Sequence, residues 1–435
     1  MASYVPNTQA EREEMLKACG FNTIRDMYKD VPESVYLKDL LDLPEGKSEL
    51  EVRRELEAMA AKNHVFAHIF RGAGSYHHYI PSIVHTITDR EEFKTAYTPY
   101  QAEISQGVLQ SIFEYQTDIC ELTGMQASNA SVYDGAVAAA EACEMCHDRK
   151  RSTILVSETV DPKILSVVKT YSFGRDVSVE IVPMKDGATD PEALKERLTK
   201  ETACFLVQQP NFFGVIEEIE PLEAAVHEAG AKLIMSVNPI SLAVLKTPGE
   251  YGADIAVGEG QPLGLPMGFG GPYVGFMACT EKMMRKLPGR IVGETVDKEG
   301  HRAYVLTLQA REQHIRREKA SSNICSNEAL CAMQTAVYMA AVGPEGLKNV
   351  ACQCASKAHY LAQQLGLPLT YDKPFFHEFV TEVPDAGVLL KALEGNDILG
   401  GLPLDAHHIL WCATEMNSKE EIDTVVAVVK EVCGA

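Results

Sequence analysis

The chain has 435 residues, a formal net charge of -21 at pH 7 and a sequence pI near 5.1. This charge repels nucleic acid and anionic membrane surfaces, so we expect neither as a partner. Hydrophobic residues make up 46% and charged residues 23%, which is typical of a folded protein, and the length predicts more than one domain. The sequence has no apolar run long enough to span a membrane and no signal-peptide pattern, so we expect a cytoplasmic protein.

The first sixty or so residues have the composition of short helices. Pro32, Pro44 and Gly46 interrupt them, and no apolar run predicts a strand. We therefore predict an N-terminal helical arm over residues 1–62 that packs on another surface.

The central part of the chain alternates short apolar runs with helical segments, and Asp190 with Pro191 predicts the start of one such helix. Continuous apolar runs between helices are typical of a parallel sheet covered on both faces. This pattern predicts a large α/β domain over residues 63–315 with strands at 153–156, 177–182, 204–208, 232–237, 254–257 and 273–278.

The last hundred residues have a different pattern of predicted helices and strands. Longer helices are predicted over 346–365 and 386–393, around shorter strands at 376–381 and 408–412. Ser418 and Glu421 form the pattern of a capping box before the final helix. We predict a smaller C-terminal α+β domain over residues 316–435.

The twelve cysteines are scattered through apolar patterns, which indicates reduced, buried side chains. Cys143, Cys146 and His147 have the spacing of a covalent haem attachment site. Their surroundings are a strong helix former, so we interpret the spacing as coincidence and assign neither haem nor metal.

Two polar segments early in the chain have the composition of a ligand-binding wall. The first extends from Arg71 to Pro81 and the second from Tyr97 to Gly107. Proline stiffens the second segment, and its aromatic and polar side chains suit a small polar ligand. A buried loop that satisfies its own backbone explains the pattern equally well. The residues of interest are Tyr97, Thr98, Tyr100, Gln101 and Glu103.

A third segment, from Ser131 to Glu141, is a small-residue turn that opens a helix. The start of a helix offers free N–H groups, which often hold a cofactor phosphate. Asp134 lies where its own carboxylate would cap these groups and repel a phosphate. The sequence therefore predicts a helix that is already capped.

A fourth segment, from Gln309 to Cys325, is basic in an otherwise acidic chain. A patch of this kind suits a carboxylate or a phosphate. Glu312 and Glu318 also allow a solvated helix with internal ion pairs, and both interpretations stay open. The basic or potentially basic residues are Arg311, His314, Arg316, Arg317 and Lys319.

These segments, together with the glycine-rich stretch 258–276 and the stretch 287–297, resemble glycine decarboxylase, the P-protein of the glycine cleavage system. The similarity extends in order over essentially the whole chain. In length the chain resembles the free-standing α subunit of the two-subunit form. The resemblance implies the fold of fold-type-I pyridoxal-phosphate enzymes, with a mainly parallel sheet covered by helices.

Such enzymes need a lysine for the Schiff base and an aspartate facing the pyridine nitrogen. Where the resemblance places the lysine, this chain has Gln261, and the earlier strand offers Ser236 and Asn238 in place of an aspartate. Lys246 precedes a strand in a predicted surface loop and is a poor substitute. With Asp134 as a third departure, we expect no direct cofactor binding by this chain.

The resemblance implies that a related β subunit carries pyridoxal phosphate in an α2β2 assembly. That assembly would decarboxylate glycine and transfer the aminomethyl group to the lipoyl arm of H-protein. Two alternatives are a purely structural or regulatory subunit and a self-sufficient enzyme that uses Lys246. If the chain belongs to the α2β2 enzyme, the residues expected to face the partner's substrate side are Tyr97, Thr98, Tyr100, Gln101, Glu103, Arg311, His314, Arg316, Arg317, Lys319, Ser322 and Asn323.

Overall fold

The computed structural model describes residues 6–37, 39, 41–94, 98–175, 177–268, 271–320, 322–324 and 326–434. Its chain divides into two compact units, Met1–Val65 and Phe66–Ala435. Tyr97 lies outside the described residues, as does the side chain of Arg311.

The first unit contains two α-helices, α1 (Gln9–Ala18) and α2 (Glu49–Ala60), with 3-10 turns at Ile24–Tyr28 and Glu33–Val35. Each α-helix begins at a capping box, in which a hydroxyl and a glutamate bond reciprocally to backbone N–H groups. Neither helix has a buried residue. The helical character predicted for this segment is confirmed.

The second unit contains the remaining helices and all the strands that the structure describes. Its α-helices are α3 (Ser82–Thr88), α4 (Glu91–Lys94), α5 (Gln106–Thr123), α6 (Gly135–Cys146), α7 (Pro162–Ser172), α8 (Pro191–Arg197), α9 (Ile219–Glu228), α10 (Gln313–Arg316), α11 (Ala329–Leu365), α12 (Ala386–Glu394) and α13 (Lys419–Cys433). Its strands are β1 (His68–Ile69), β2 (Ala127–Ser128), β3 (Thr153–Ser157), β4 (Ser178–Val182), β5 (Met184–Lys185), β6 (Ala188–Thr189), β7 (Thr202–Gln209), β8 (Lys232–Val237), β9 (Ile255–Glu259), β10 (Gly275–Cys279), β11 (Ile291–Val296), β12 (Arg302–Thr307), β13 (Glu378–Glu382), β14 (Ile398–Leu399), β15 (Leu402–Pro403) and β16 (His408–Cys412).

A seven-stranded sheet organises this unit, with the order β2-β10-β9-β8-β7-β3-β4. Strands β9, β8, β7, β3 and β4 are parallel, whereas β10 pairs antiparallel with both β9 and β2. The predicted mainly parallel sheet is confirmed. All six predicted strands of the central region are present, and β8 has the predicted bounds of 232–237.

Both faces of the sheet are covered, because side chains of a strand alternate between its two sides. Phe205 and Val207 of β7 pack with α5, α9 and the first half of α11. Cys204 and Leu206 of the same strand pack with α6 and α7 on the opposite face. This double cover explains why the strands are apolar throughout.

The C-terminal part of the chain forms a smaller sheet with the order β13-β16-β15. Helices α12, α13 and the second half of α11 pack against it around the buried Trp411, whose indole N–H donates to the Thr381 hydroxyl at 2.9 Å. The long helix α11 is interrupted at Gly343, which has φ 60°, immediately before Pro344. In the described residues, no helix is long and apolar enough to cross a membrane.

Candidate functional site

A cavity of about 440 Å³ lies at the carboxyl edge of the large sheet, where parallel α/β folds place their ligands. The ends of β7, β8 and β9 contribute Gln208, Ser236 and Glu259 to its wall. The starts of α6 and α7 and the loop 72–76 complete it. All these elements belong to the second unit.

Two carboxylates cap helix α6 where it meets this cavity. Asp134 is the N-cap residue, and its Oδ1 accepts the Val137 N–H at 2.7 Å. Glu259 Oε2 accepts the Gly135 N–H at 3.0 Å from the end of β9. These are the N–H groups that would otherwise face an anion. The predicted cap by Asp134 is confirmed, and Glu259 supplies a second cap that the sequence reasoning missed.

Glu259 is held firmly in this position. Its Oε1 also accepts the backbone N–H groups of Gln261 and Val274, at 3.0 and 3.3 Å. Burial raises the pKa of Glu259 to about 7, against the lowering effect of the backbone N–H groups. A Cβ at Gly135 would lie 2.7 Å from the Glu259 nitrogen, so this close approach requires glycine. A phosphate at this helix would meet two carboxyl groups that already accept the N–H groups of Gly135 and Val137.

Gln261 lies where the resemblance implies a lysine. Its side chain is hydrogen-bonded to the backbone of the loop 72–76 and of the turn after β9, and so ties the two segments together. The side chain is 1% exposed. Its Oε1 accepts the Tyr76 N–H at 2.9 Å, while Nε2 donates to the carbonyls of Tyr76 and Leu265 at 2.9 and 2.8 Å. Every hydrogen-bonding direction of the amide but one is used, and the bonds hold the loop 72–76 against the cavity.

Ser236 and Asn238 line the cavity at the end of β8, where the resemblance implies an aspartate. The Asn238 Oδ1 accepts the N–H groups of Ile240 and Ser241, and its buried Nδ2 has no hydrogen-bond partner among the described residues. Neither side chain carries the negative charge needed to hold a protonated pyridine.

Lys163 lines the cavity, and Lys246, which the sequence suggested as an alternative, does not. Lys246 is exposed, pairs with Glu220 at 3.2 Å and lies over the Tyr251 ring at 4.4 Å. It does not line the cavity. Lys163, in the first turn of α7, does line it, beside the Asp161 carboxylate that caps the same helix. Sequence reasoning missed Lys163 because only the folded chain brings the start of α7 to this edge.

The aromatic loop before α5 lies at the surface and does not line this cavity. Tyr100 is 68% exposed, and Gln101 and Glu103 are exposed as well. The Arg290 guanidinium lies 5.6 Å from the centre of the Tyr100 ring. The Thr98 hydroxyl is buried and has no hydrogen-bond partner among the described residues. The loop is therefore not the self-satisfied buried loop that the sequence left open.

The basic segment is also exposed. Its helix α10 is a single turn between 3-10 turns, and the alternative of a solvated helix with internal ion pairs stays open. His314 faces Glu312 at 3.5 Å, and Arg317 has φ 54° and ψ -126°, a strained conformation for a residue with a side chain. The exposed residues of this segment include His314, Arg316, Arg317, Lys319 and Asn323.

Ser322 differs from its neighbours because it bonds inward. Its hydroxyl donates to Glu141 Oε1 at 2.9 Å. Burial raises the pKa of Glu141 to about 7, although the Ser322 bond lowers it. Ser322 thus anchors the end of the basic segment on helix α6.

The sheet order and the covering helices define the fold of fold-type-I pyridoxal-phosphate enzymes. Solved structures of a NifS-like protein and of an aspartate aminotransferase from Thermus thermophilus share this fold, with TM-scores of 0.62 and 0.59. Their identities are 14% and 15%, and each match covers 84% of this chain and 99% of that chain. These structures establish the class of fold.

The sequence matches are far closer. The model of the glycine cleavage system P-protein family matches residues 2–429. The chain belongs to this family. A crystal structure of glycine decarboxylase (P-protein) of the glycine cleavage system, in inhibitor-bound form, is similar with a TM-score of 0.93 and 43% identity, covering 99% of this chain and 100% of that one.

Curated relatives extend over the full length as well. The probable glycine dehydrogenase (decarboxylating) subunit 1 of Moorella thermoacetica is 50% identical, over 98% of this chain and 99% of its own length. The protein of the same name from Listeria monocytogenes is 48% identical, over 98% of both chains.

Proposed function

We propose that this chain is subunit 1 of a two-chain glycine dehydrogenase (decarboxylating), and that it works without holding the cofactor itself. The full-length relatives carry that name, and a subunit 1 implies a second subunit. The family and fold support the use of pyridoxal phosphate by the complex.

The side chains that line the cavity support this proposal most directly. Pyridoxal phosphate needs an amine, a site for its phosphate and an acid facing its ring nitrogen. Here the amide of Gln261 stands at the lysine position and is engaged in three hydrogen bonds, Asp134 and Glu259 cap helix α6, and Asn238 carries no charge. The Lys163 amine that lines the cavity lies at the start of α7, beside the Asp161 carboxylate, and not after β9 where the cofactor lysine is implied. The lining residues do not fit the cofactor. We therefore assign pyridoxal phosphate to the partner chain.

The exposed loops give this chain an active role in the proposed assembly. In the fold-type-I dimers that the family resembles, sites lie between chains, so surface groups of one chain can complete a pocket of the other. Tyr100, Gln101 and Glu103 would face the substrate side of the partner's cofactor, together with Thr98 and Tyr97. Arg316 and its basic neighbours suit the glycine carboxylate, the cofactor phosphate or an acidic face of H-protein.

The proposed assembly is α2β2 and its substrates are glycine and the lipoyl arm of H-protein. When bound by the partner, the cofactor supplies the electron sink for loss of carbon dioxide. The residues of this chain would bind and orient the substrate and exclude water. The isolated chain is expected to be inactive.

Reconstitution tests this function. Glycine–bicarbonate exchange is measured for this chain, for the subunit 2 partner and for the mixture, each with added pyridoxal phosphate. The proposal expects exchange from the mixture alone. Exchange by this chain alone would support a self-sufficient enzyme, and full exchange by the partner alone would remove the need for subunit 1.

A second measurement distinguishes an active-site contribution from a scaffold. Arg316→Ala is compared with Lys298→Ala, which removes an exposed charge from the turn between β11 and β12. Loss of exchange in Arg316→Ala, with assembly unchanged and Lys298→Ala fully active, is the expected result. Full activity of both variants would show that Arg316 contributes nothing to the active site and would favour a purely structural role for this chain.

A further inference from the structure

Three side chains that commonly bind metals meet inside the second unit, and none of them lines the candidate cavity. They are His78, which follows the loop 72–76, Cys354 on α11, and Glu415 after β16. One ligand atom from each lies within 4.8 Å of the other two. His78 is 6% exposed and Cys354 fully buried, and the Glu415 side chain is 11% exposed.

The hydrogen bonds within this cluster account for only part of its polar surface. His78 Nδ1 lies 2.7 Å from Glu415 Oε2, and the Cys354 thiol donates to the same oxygen at 3.4 Å. The buried His78 Nε2, His377 Nε2 and Tyr338 hydroxyl have no hydrogen-bond partner among the described residues. A buried polar group without a partner costs about 1–3 kcal/mol, so the unpartnered ring nitrogen shows that the His78 imidazole has bonding capacity that the cluster does not use.

Charges of the cluster also act on His377 and Tyr338. Burial lowers the pKa of His377 to about 3, with the charge of neighbouring His78 acting in the same direction. Burial raises the pKa of Tyr338, and the charges of Glu415 and Cys354 raise it further. His377 also packs on the Tyr76 ring, with centroids 4.7 Å apart.

We propose that His78, Cys354 and Glu415 bind one divalent transition-metal ion, and that zinc is the best match. Imidazole, thiolate and carboxylate are the ligands that zinc takes in proteins, and three protein ligands leave a fourth position for water. With zinc bonds of about 2.0–2.3 Å, tetrahedral ligand atoms lie about 3.3–3.8 Å apart. The sulfur–oxygen distance of 3.4 Å already fits. The nitrogen–oxygen pair at 2.7 Å must open by roughly 0.6 Å, a small side-chain rotation.

Metal binding at this point has a defined proton balance. Cys354 binds as thiolate, and its proton leaves to solvent. Burial and the nearby Glu415 raise the pKa of this thiol, so the ion displaces a proton that the free thiol holds. His78 binds through the lone pair of one ring nitrogen, while the other nitrogen carries the ring proton.

The ion would join three segments that are distant in sequence. The Thr414 hydroxyl already donates to the His77 carbonyl at 2.6 Å, and the Tyr79 N–H donates to Glu415 Oε1 at 2.7 Å. The ion would fix this contact between the loop at 77–79, α11 and the segment after β16. Since Tyr76 also lines the candidate cavity, the site is a structural clasp beside that cavity.

Cobalt titration of the full chain tests the proposal. The purified chain is dialysed against a chelator and titrated with Co²⁺, while near-ultraviolet absorbance reports thiolate-to-metal charge transfer. We expect saturation at one ion per chain, with the band lost in Cys354→Ser. It should persist in Cys352→Ser, which changes an exposed cysteine on the same helix.

A further control addresses a second, exposed group of possible ligands at Asp297, Glu299 and His301. The band should also persist in His301→Ala. Wild-type chain without a saturable band, or an equal band in Cys354→Ser, would overturn the proposal. Far-ultraviolet circular dichroism identifies any variant that does not fold, and in that case the wild-type titration decides by itself.

Discussion

Replacing Gln261 by alanine removes the tie between the loop 72–76 and the turn after β9. Three hydrogen bonds of 2.8–2.9 Å are lost, and the Tyr76 N–H, the Tyr76 carbonyl and the Leu265 carbonyl lose a buried partner. Each such loss costs about 1–3 kcal/mol. Water entering from the adjoining cavity recovers part of this, so we expect a loss of about 3–5 kcal/mol in the free energy of unfolding.

Urea unfolding followed by far-ultraviolet circular dichroism measures this loss. The matched control is Gln363→Ala, which changes an exposed glutamine on α11 and should shift the free energy by no more than about 0.5 kcal/mol. If Gln261→Ala were as stable as this control, the side chain would not act as a tie.

Three further predictions concern charge, surface contacts and capping. In Glu141→Gln the pH dependence of stability should change, because the folded-state pKa of about 7 exceeds the ordinary value of 4.5. Between pH 4.5 and 7 the folded wild-type chain holds a proton that the unfolded chain has lost, so its stability falls as pH rises through this range. In urea unfolding the variant should match the wild type at pH 4 and exceed it by about 3 kcal/mol at pH 8. Tyr100→Phe, in the assembled enzyme, should lower kcat/KM for exchange about tenfold if its hydroxyl contacts substrate, whereas unchanged kcat/KM would exclude that contact. Ser418→Ala removes the cap of α13 and should cost about 1 kcal/mol in thermal unfolding, and an unchanged Tm would show that the capping box contributes nothing.

Local sequence patterns predicted the elements of this fold well. The apolar runs located the strands because a sheet covered on both faces requires them, and the caps at Asp134 and Ser418 follow from side-chain chemistry at helix starts. Order and direction in the sheet depend on long-range pairing. The antiparallel orientation of β10 between β9 and β2 is an example that no local pattern contains.

The sequence predicted features of the candidate site that depend on the residue at a single position. It did not predict features that depend on contacts between distant segments. Gln261 could be identified as a replaced lysine from the resemblance, but its bonds to Tyr76 depend on a loop almost two hundred residues away. The second cap by Glu259 and the placement of Lys163 arise from packing at the sheet edge. The cluster of His78, Cys354 and Glu415 joins three distant segments, which no spacing rule detects.

In the proposed assembly the partner chain holds pyridoxal phosphate and this chain does not. Borohydride reduction of the reconstituted complex fixes the cofactor to its lysine, and mass spectrometry of the separated chains then locates the pyridoxyl group. We expect one pyridoxyl group on each subunit 2 chain and none on this chain. A pyridoxyl group on Lys163 or Lys246 of this chain, in stoichiometric amount, would contradict the claim.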